Sequence, residues 1–414
     1  MNSNTKKPEI LAPAGDAEKL RFSVLFGADA VYLGLQAFSM RTSTQNFTGE
    51  ELKAAVNFAH EHKVKVYLAL NTLPRNADLG SLPGCVELAK EAGIDAFIVA
   101  DLGVFSFIKQ HTNGIDIHVS TQMGIVNSAA ANELFKMGAN RIILARELSM
   151  EEIKEIRKKT PNELELEVFV HGAMCMAFSG RCLLSTFMTG RDANRGECAQ
   201  PCRWAYLVEQ TRPEQVFELQ ETRSGSYIFN SRDLCMINHI PELIDAGINS
   251  FKIEGRAKSF YYCAVITNAY RQAVDLFAHN PVNFNLPEPI HNEVYKVSHR
   301  EYSTGFYFGT PGQTIKNGGY VREYDVVATV ESCNGSVVNC IQRNKFTAPT
   351  NLELLEPGAL PLQLRIERLF DEAGDELNSV PHAMMKFSFR TDIQPKAGSI
   401  LRKKIDPSAP QLQT

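Results

Sequence analysis

The chain has 414 residues, 44% of them hydrophobic and 22% charged, with a formal net charge of −4. That balance excludes a disordered chain and leaves room for two or three domains with substantial cores. It gives no global basic footprint, so a nucleic-acid partner would have to be met by a local patch. The opening stretch MNSNTKKPEI lacks the apolar centre of a signal peptide and no apolar run approaches bilayer length. A cytoplasmic chain with no membrane partner is therefore expected.

In chain order, short apolar, β-branched or aromatic runs begin near Glu9, Ala30, Lys65, Ala96, Ile115, Arg141, Leu164 and Ser250. Between them, EELKAAVNFAHEH, SAAANELFKM and MEEIKEIRKK carry apolar residues at helical spacing, with Thr48, Asn127 and Ser149 as N-caps. Eight βα units in about 250 residues predict an α/β fold, a TIM-like (β/α) eight-stranded barrel over residues 8–280. A doubly wound open sheet is the alternative, but no GxGxxG fingerprint follows any of the strands.

From Gly172 to Asn249 the chain spends about eighty residues between the seventh and eighth strands, far more than a βα loop needs. Loops leaving the C-terminal strand ends build the active face of such barrels, so this insertion is expected there. Residues 281–317, broken by the prolines of NPVNFNLPEPIHNEV, read as a linker. Short alternating runs over 318–405 predict a small, barrel-like antiparallel β-domain.

Four of the nine cysteines, Cys175, Cys182, Cys198 and Cys202, fall within 28 positions as C-x6-C-x15-C-x3-C, among loop-forming Gly, Ser, Arg and Pro. An odd total without a secretory signal argues against a disulfide framework. Soft thiolates at short spacing, beside cations that favour the deprotonated thiol, suit a metal or iron–sulfur centre. Zinc competes, although only Cys198 and Cys202 approach its usual knuckle spacing, and buried structural thiols are the plain alternative. Cys235, beside an apolar helical pattern in the same insertion, is the runner-up ligand. Cys85, Cys263, Cys333 and Cys340 read as packing residues.

Asn71, Asp101, Gln122, Arg146, His171 and Glu254 stand at expected C-terminal strand ends, with Arg256 two residues further. As a set they imply a polar pocket, while each alone also reads as a capping or loop-ordering residue. Arg181, Arg203 and Arg256 can hold a carboxylate or phosphate through paired N–H donors, whereas Arg195 reads as a salt-bridge residue. The candidate catalytic residues are thus Glu254, Arg256, Gln122 and His171, and the candidate substrate contacts Arg181, Arg203 and Asn71. Neither a GxSxG elbow, an HExxH pair nor a Walker A loop is present.

The stretch EVFVHGAMCMAFSGRCLLS, Glu167 to Ser185, together with ILAPAG, GADAVYLG, HVSTQ, NSRDLC and KIEGR, resembles the signature of the U32 peptidase family, also called collagenase-like peptidases. The resemblance covers nearly the whole chain. It implies a 4Fe-4S cluster on Cys175, Cys182, Cys198 and Cys202. It further implies oxygen-independent hydroxylation of the tRNA wobble uridine to 5-hydroxyuridine, with prephenate, a small dicarboxylate, as co-substrate. Other members are expected to hydroxylate ribosomal RNA or a quinone precursor. The family label leaves a peptidase, and the residues leave a zinc-stabilised binding module, as alternatives. For a tRNA partner, Arg365, Arg368, Arg402, Lys403 and Lys404 of the β-domain form the expected local basic patch.

Overall fold

Eight short parallel strands carry the first part of the chain: β1 (Glu9–Pro13), β2 (Ala30–Leu33), β3 (Lys65–Leu70), β4 (Ala96–Val99), β5 (Asp116–Val119), β6 (Arg141–Ile143), β7 (Glu165–Gly172) and β8 (Ser250–Ile253). They pair in sequence order, and β8 pairs with both β7 and β1, which closes the sheet into a barrel. The structure is a computed structural model and describes residues 7–35, 46–204, 220–222, 225–227, 231–312 and 320–405.

Helices α1 (Ala17–Leu25), α2 (Gly49–Glu61), α3 (Leu82–Ala92), α4 (Leu102–His111), α5 (Ser128–Met137) and α6 (Met150–Lys158) lie between the strands. Thr48 and Ser149 open α2 and α6 with capping boxes completed by Glu51 and Glu152, and the Asn127 side chain accepts from Ala130 N–H at the start of α5. Each cap satisfies N–H groups that the first helical turn leaves without partners, which fixes where these helices begin.

A closed barrel gives inward side chains little access to water, and several here are charged. Arg141 Nη1 lies 2.7 Å from Glu9 Oε1 and 2.9 Å from Glu167 Oε2, and its Nη2 lies 2.6 Å from Glu165 Oε2. Lys252 Nζ is 2.9 Å from Glu167 Oε1 and 4.5 Å from the centre of the Tyr32 ring. Burial alone would push the Glu9 carboxyl up, but the Arg141 charge and hydrogen bonds from Arg141, Tyr67 and Ser250 outweigh it and hold Glu9 below the usual carboxylate range.

The β7–β8 register slips by one residue. Phe169 faces Lys252, yet Ile253 faces His171, so Val170 is the extra residue of a bulge. Because side chains alternate sides along a strand, this slip turns His171 out of the lumen. Gly172 ends β7 at φ +112°, and a Cβ there would sit 2.4 Å from the Glu254 carbonyl oxygen, so only glycine fits. The insertion then carries α7 (Leu184–Thr189), a returning strand Asp233–Cys235 antiparallel to β7, and α8 (Ile240–Asp245) before β8.

After β8, α9 (Phe260–His279) packs on α1 and β1. The stretch expected as a linker is packed as well. It contains α10 (Glu288–Glu293) and a strand Tyr302–Ser303 that pairs with Asp233 and Leu234, and it brings Ile290, Val294, Val297 and Tyr307 into the barrel core. Its apolar positions are spaced to cover the barrel flank, which the prolines conceal in the sequence. No helix among the described residues is long and apolar enough to cross a membrane.

The C-terminal part is an eight-stranded antiparallel sheet with its own core, including Val338, Cys340, Leu352, Phe387 and Phe389. Among the described residues its two end strands do not pair with each other. Val326, Leu355 and Ile400 join the barrel core instead. Arg402, expected in an exposed basic patch, is fully buried between Glu293 of α10 and Glu353, 2.7 Å from each. Its charge ties the sheet to the barrel.

Without Arg141, the largely covered Glu9 would lose its countercharge and the buried Glu167 one of its two. Arg141→Met is expected to cost about 3 to 5 kcal/mol of stability, read as a lower urea midpoint. Since Glu9 is lowered from 4.5, its contribution is present above about pH 4.5 and is lost as the pH falls below it. Glu9→Gln should flatten that part of the acid limb.

Candidate active site

Beyond the charged layer the lumen widens at the C-terminal strand ends into a cavity of about 140 Å³. Asn71 after β3, Gln122 after β5, Arg146 after β6, and Glu254 and Arg256 after β8 line it. The two-residue steps from Lys252 to Glu254 to Arg256 bring three charged side chains of one segment to this cavity.

All four clustered cysteines line the same cavity. Cys175 and Cys182 flank the turn between β7 and α7, while Cys198 and Cys202 sit in the following loops, Cys202 within the turn Pro201–Arg203. Short polar contacts hold these loops. Glu147 Oε1 accepts from Ser179 N–H at 2.8 Å, Asn194 Nδ2 donates to the Cys182 carbonyl at 3.0 Å, and Ser185 Oγ accepts from Ala199 N–H at 3.1 Å. Gly180, at φ +73°, lies against Gln122, whose carbonyl oxygen would stand 2.2 Å from any Cβ. Arg195 Nη2 pairs with Asp78 at 2.8 Å and so anchors the loop, as an ordinary salt bridge does.

None of the four thiols is in a disulfide, and none is fully buried. Among the described residues no three His, Cys, Asp or Glu side chains form a group that could hold one metal ion, so a cavity rather than a single ligand sphere gathers the cysteines. By the chemistry of its donors, an all-sulfur set is one that a multi-iron cluster would accept, with separate irons on separate thiolates.

The charges around the cavity are ordered. The Arg146 guanidinium stacks 3.8 Å from the centre of the Phe169 ring, donates from Nη1 to the Ala173 carbonyl at 2.7 Å, and lies 3.9 Å from Glu254 Oε2. The Tyr32 hydroxyl donates to Glu254 Oε2 at 3.4 Å, and Arg256 Nη2 donates to Asn46 Oδ1. Burial lowers the Lys252 ammonium pKa, against the opposing pull of the Glu167 carboxylate.

Other sequence candidates lie elsewhere. His171 is 1% exposed, enclosed by Tyr262, Tyr270 and Tyr302, with the Tyr270 and Tyr302 hydroxyls 3.4 and 3.3 Å from its ring nitrogens. The bulge at Val170 is the physical reason. Burial pushes this imidazole down to about 3, so it is neutral. Cys235 pairs with His171 across the returning strand and is only partly covered as a residue, yet burial pushes its thiol up to about 12. Arg181, just after Gly180, is exposed and does not line the cavity. The Arg203 side chain lies outside the described residues. Asp101 caps α4, accepting from Gly103 and Val104 N–H. Lys252, Tyr32 and Phe169 line the cavity without having been singled out from sequence. A lysine inside the apolar run SFKI, two residues before Glu254, is the signal that marks them.

The unfolded chain protonates His171 near pH 6.5 and the folded chain only near pH 3. Stability should therefore fall as the pH drops through that window, by at most roughly 1.4 kcal/mol per pH unit for this group. Denaturation across the window should show a shallower fall for His171→Gln. An unchanged limb would mean that the ring is not held neutral.

A family model described as peptidase family U32 matches residues 15–317, and one described as peptidase family U32 C-terminal domain matches residues 322–402. The chain is 36% identical over 404 residues to tRNA hydroxylation protein P1 of Bacillus subtilis, covering 96% of this chain and 95% of that protein. It is 34% identical over 421 residues to tRNA hydroxylation protein P of Escherichia coli, covering 91% and 92%. A protein named collagenase from Porphyromonas gingivalis is 32% identical over 316 residues, covering 74% and 75%. The barrel and the C-terminal sheet are thus each matched by a model of one family, and the chain belongs to peptidase family U32.

Proposed function

We propose that this chain is an RNA-modifying enzyme that hydroxylates C5 of the tRNA wobble uridine, with a 4Fe-4S cluster on Cys175, Cys182, Cys198 and Cys202 and prephenate as co-substrate. The observation that carries the proposal is one cavity lined by all four thiols together with Arg146, Arg256 and Glu254. The names of the two tRNA hydroxylation relatives support the RNA substrate.

Replacing C5–H by C5–OH oxidises the base by two electrons, and the hydroxyl donor is reduced by the same two. A cluster bound here supplies electron transfer that does not depend on molecular oxygen. The protein's own residues have separate tasks. Arg146 and Arg256 hold the carboxylates of the donor by charge-assisted hydrogen bonds. Phe169 and Phe178 offer apolar faces to a planar ring. Glu254, facing Tyr32 and Arg146, takes the C5 proton. No histidine lines the cavity among the described residues, so a thiol there lacks the adjacent base that a cysteine peptidase needs.

In anaerobically purified protein, Ala at any of Cys175, Cys182, Cys198 or Cys202 should lower iron from about four per chain and abolish 5-hydroxyuridine in tRNA from a complemented deletion strain. Cys235→Ala should retain most of both, because its thiol is held protonated. Normal tRNA nucleosides in the deletion strain, alongside lost gelatin cleavage, would restore the peptidase reading. Lost hydroxylation in ribosomal RNA alone would redirect the substrate.

Calorimetry addresses the co-substrate. Arg256→Ala should lose about 1.5 to 3 kcal/mol of prephenate binding. Equal and negligible heats in wild type and variant would remove prephenate from the scheme.

A further inference from the structure

A second cleft, of about 710 Å³, runs between the segment joining β8 to α9 and the first strand of the C-terminal sheet, Tyr324–Asn334. Lys258, Arg322 and Arg343 bring cations to its walls, and the exposed Tyr320 and partly exposed Tyr324 bring aromatic rings, with Tyr262 buried behind them. Glu254 is the one carboxylate among its described lining residues. Cation and ring are interleaved: Lys258 Nζ lies 4.0 Å from the centre of the Tyr320 ring and 5.3 Å from that of Tyr262, and the Arg343 guanidinium lies 4.9 Å from that of Phe260. Arg322 is 55% exposed and pairs with Asp325, while Arg343 pairs with Glu18 at 2.6 Å.

This cleft leads to the cysteines. Glu254 lines both the cleft and the cysteine cavity, and Gln200, between Cys198 and Cys202, stands on the cleft wall. The sheet's own arginines offer no such surface. Arg402 is buried, and Arg365 and Arg368 do not line the cleft.

We infer that the cleft holds the unpaired RNA strand next to the base that enters the cysteine cavity, an inference that rests on the RNA substrate proposed above. Cations alternating with aromatic faces match a strand whose phosphates alternate with bases free to stack. A duplex keeps its bases stacked on one another and offers the rings nothing. The Lys258 ammonium and the exposed guanidinium of Arg322 offer contacts to the backbone phosphates.

The test is fluorescence anisotropy of the full-length protein with a labelled anticodon stem-loop RNA over a salt series. Tyr320→Ala and Arg322→Glu should each weaken binding roughly tenfold, and Arg322→Glu should lower the salt slope by about one. Melting temperature and iron content should stay at wild-type values. Should Tyr320→Ala melt early, Arg322→Glu, on an exposed side chain, carries the test. Arg368→Glu on the sheet should bind as wild type, and unlabelled oligouridylate should compete where duplex RNA of equal length does not. Wild-type affinity in both cleft variants would overturn the cleft assignment and leave the RNA reading standing. Equal competition by the duplex would overturn the single-strand assignment. A wild-type protein that binds none of these RNAs would remove the RNA reading itself.

Discussion

Lys252 and Glu167 meet at 2.9 Å across the seam that closes the barrel, and neither has appreciable exposure. A single buried charge at this seam would cost several kcal/mol, so β7 and β8 can join only because each strand neutralises the other and Arg141 neutralises the second oxygen of Glu167. The same geometry has a chemical consequence. Once Lys252 points inward, strand alternation sends Glu254 and Arg256 toward the mouth, beside the cysteines. Barrel closure and the composition of the cavity are therefore one constraint.

The bulge at Val170 separates a chemical side of β7 from a structural one. Below it, Glu167 and Phe169 face the lumen; above it, His171 faces outward into a set of tyrosines. There the Tyr270 hydroxyl donates to the Val170 carbonyl at 2.7 Å, and the Tyr302 hydroxyl donates to that of Val294, also at 2.7 Å. The first bond ties α9 to the end of β7, and the Tyr302 hydroxyl, 3.3 Å from His171 Nε2, brings the following segment to the same place. The returning strand Asp233–Cys235 is held between β7 and Tyr302–Ser303. The cysteine loops thus depart from and return to a rim fixed by backbone pairing, so four thiols from separated turns can line one cavity.

The strands and helices were legible because their signals are local. Each of the eight expected strand starts lies at or next to an observed one, and Thr48, Asn127 and Ser149 cap the helices that their side chains announce. The clustering of Cys175, Cys182, Cys198 and Cys202 was legible for the same reason: short spacing among loop residues needs no tertiary information. What failed depended on partners distant in sequence. A one-residue bulge moves His171 to the other face and leaves no mark in the sequence beyond Gly172. Arg402 reads as a surface cation until Glu293 and Glu353, more than forty residues away, are seen to enclose it. The proline-rich stretch after α9 hid apolar residues that pack because the barrel flank is there to receive them.

The buried Arg402 also bears on specificity. By joining Glu293 of the barrel flank to Glu353 of the sheet, it fixes the spacing between the two walls of the large cleft before any ligand arrives. A preformed cleft spares a ligand the cost of ordering it, so little of the binding energy is spent on shaping the protein. On the proposed reading, that energy goes instead into drawing one base away from its neighbours and into the narrow cavity beside Phe169 and Arg146. Extruding a base costs least where it is already unpaired. A barrel cavity fed by a cleft suited to a single strand would therefore select loop nucleotides by what they need not break, before any side chain distinguishes one base from another.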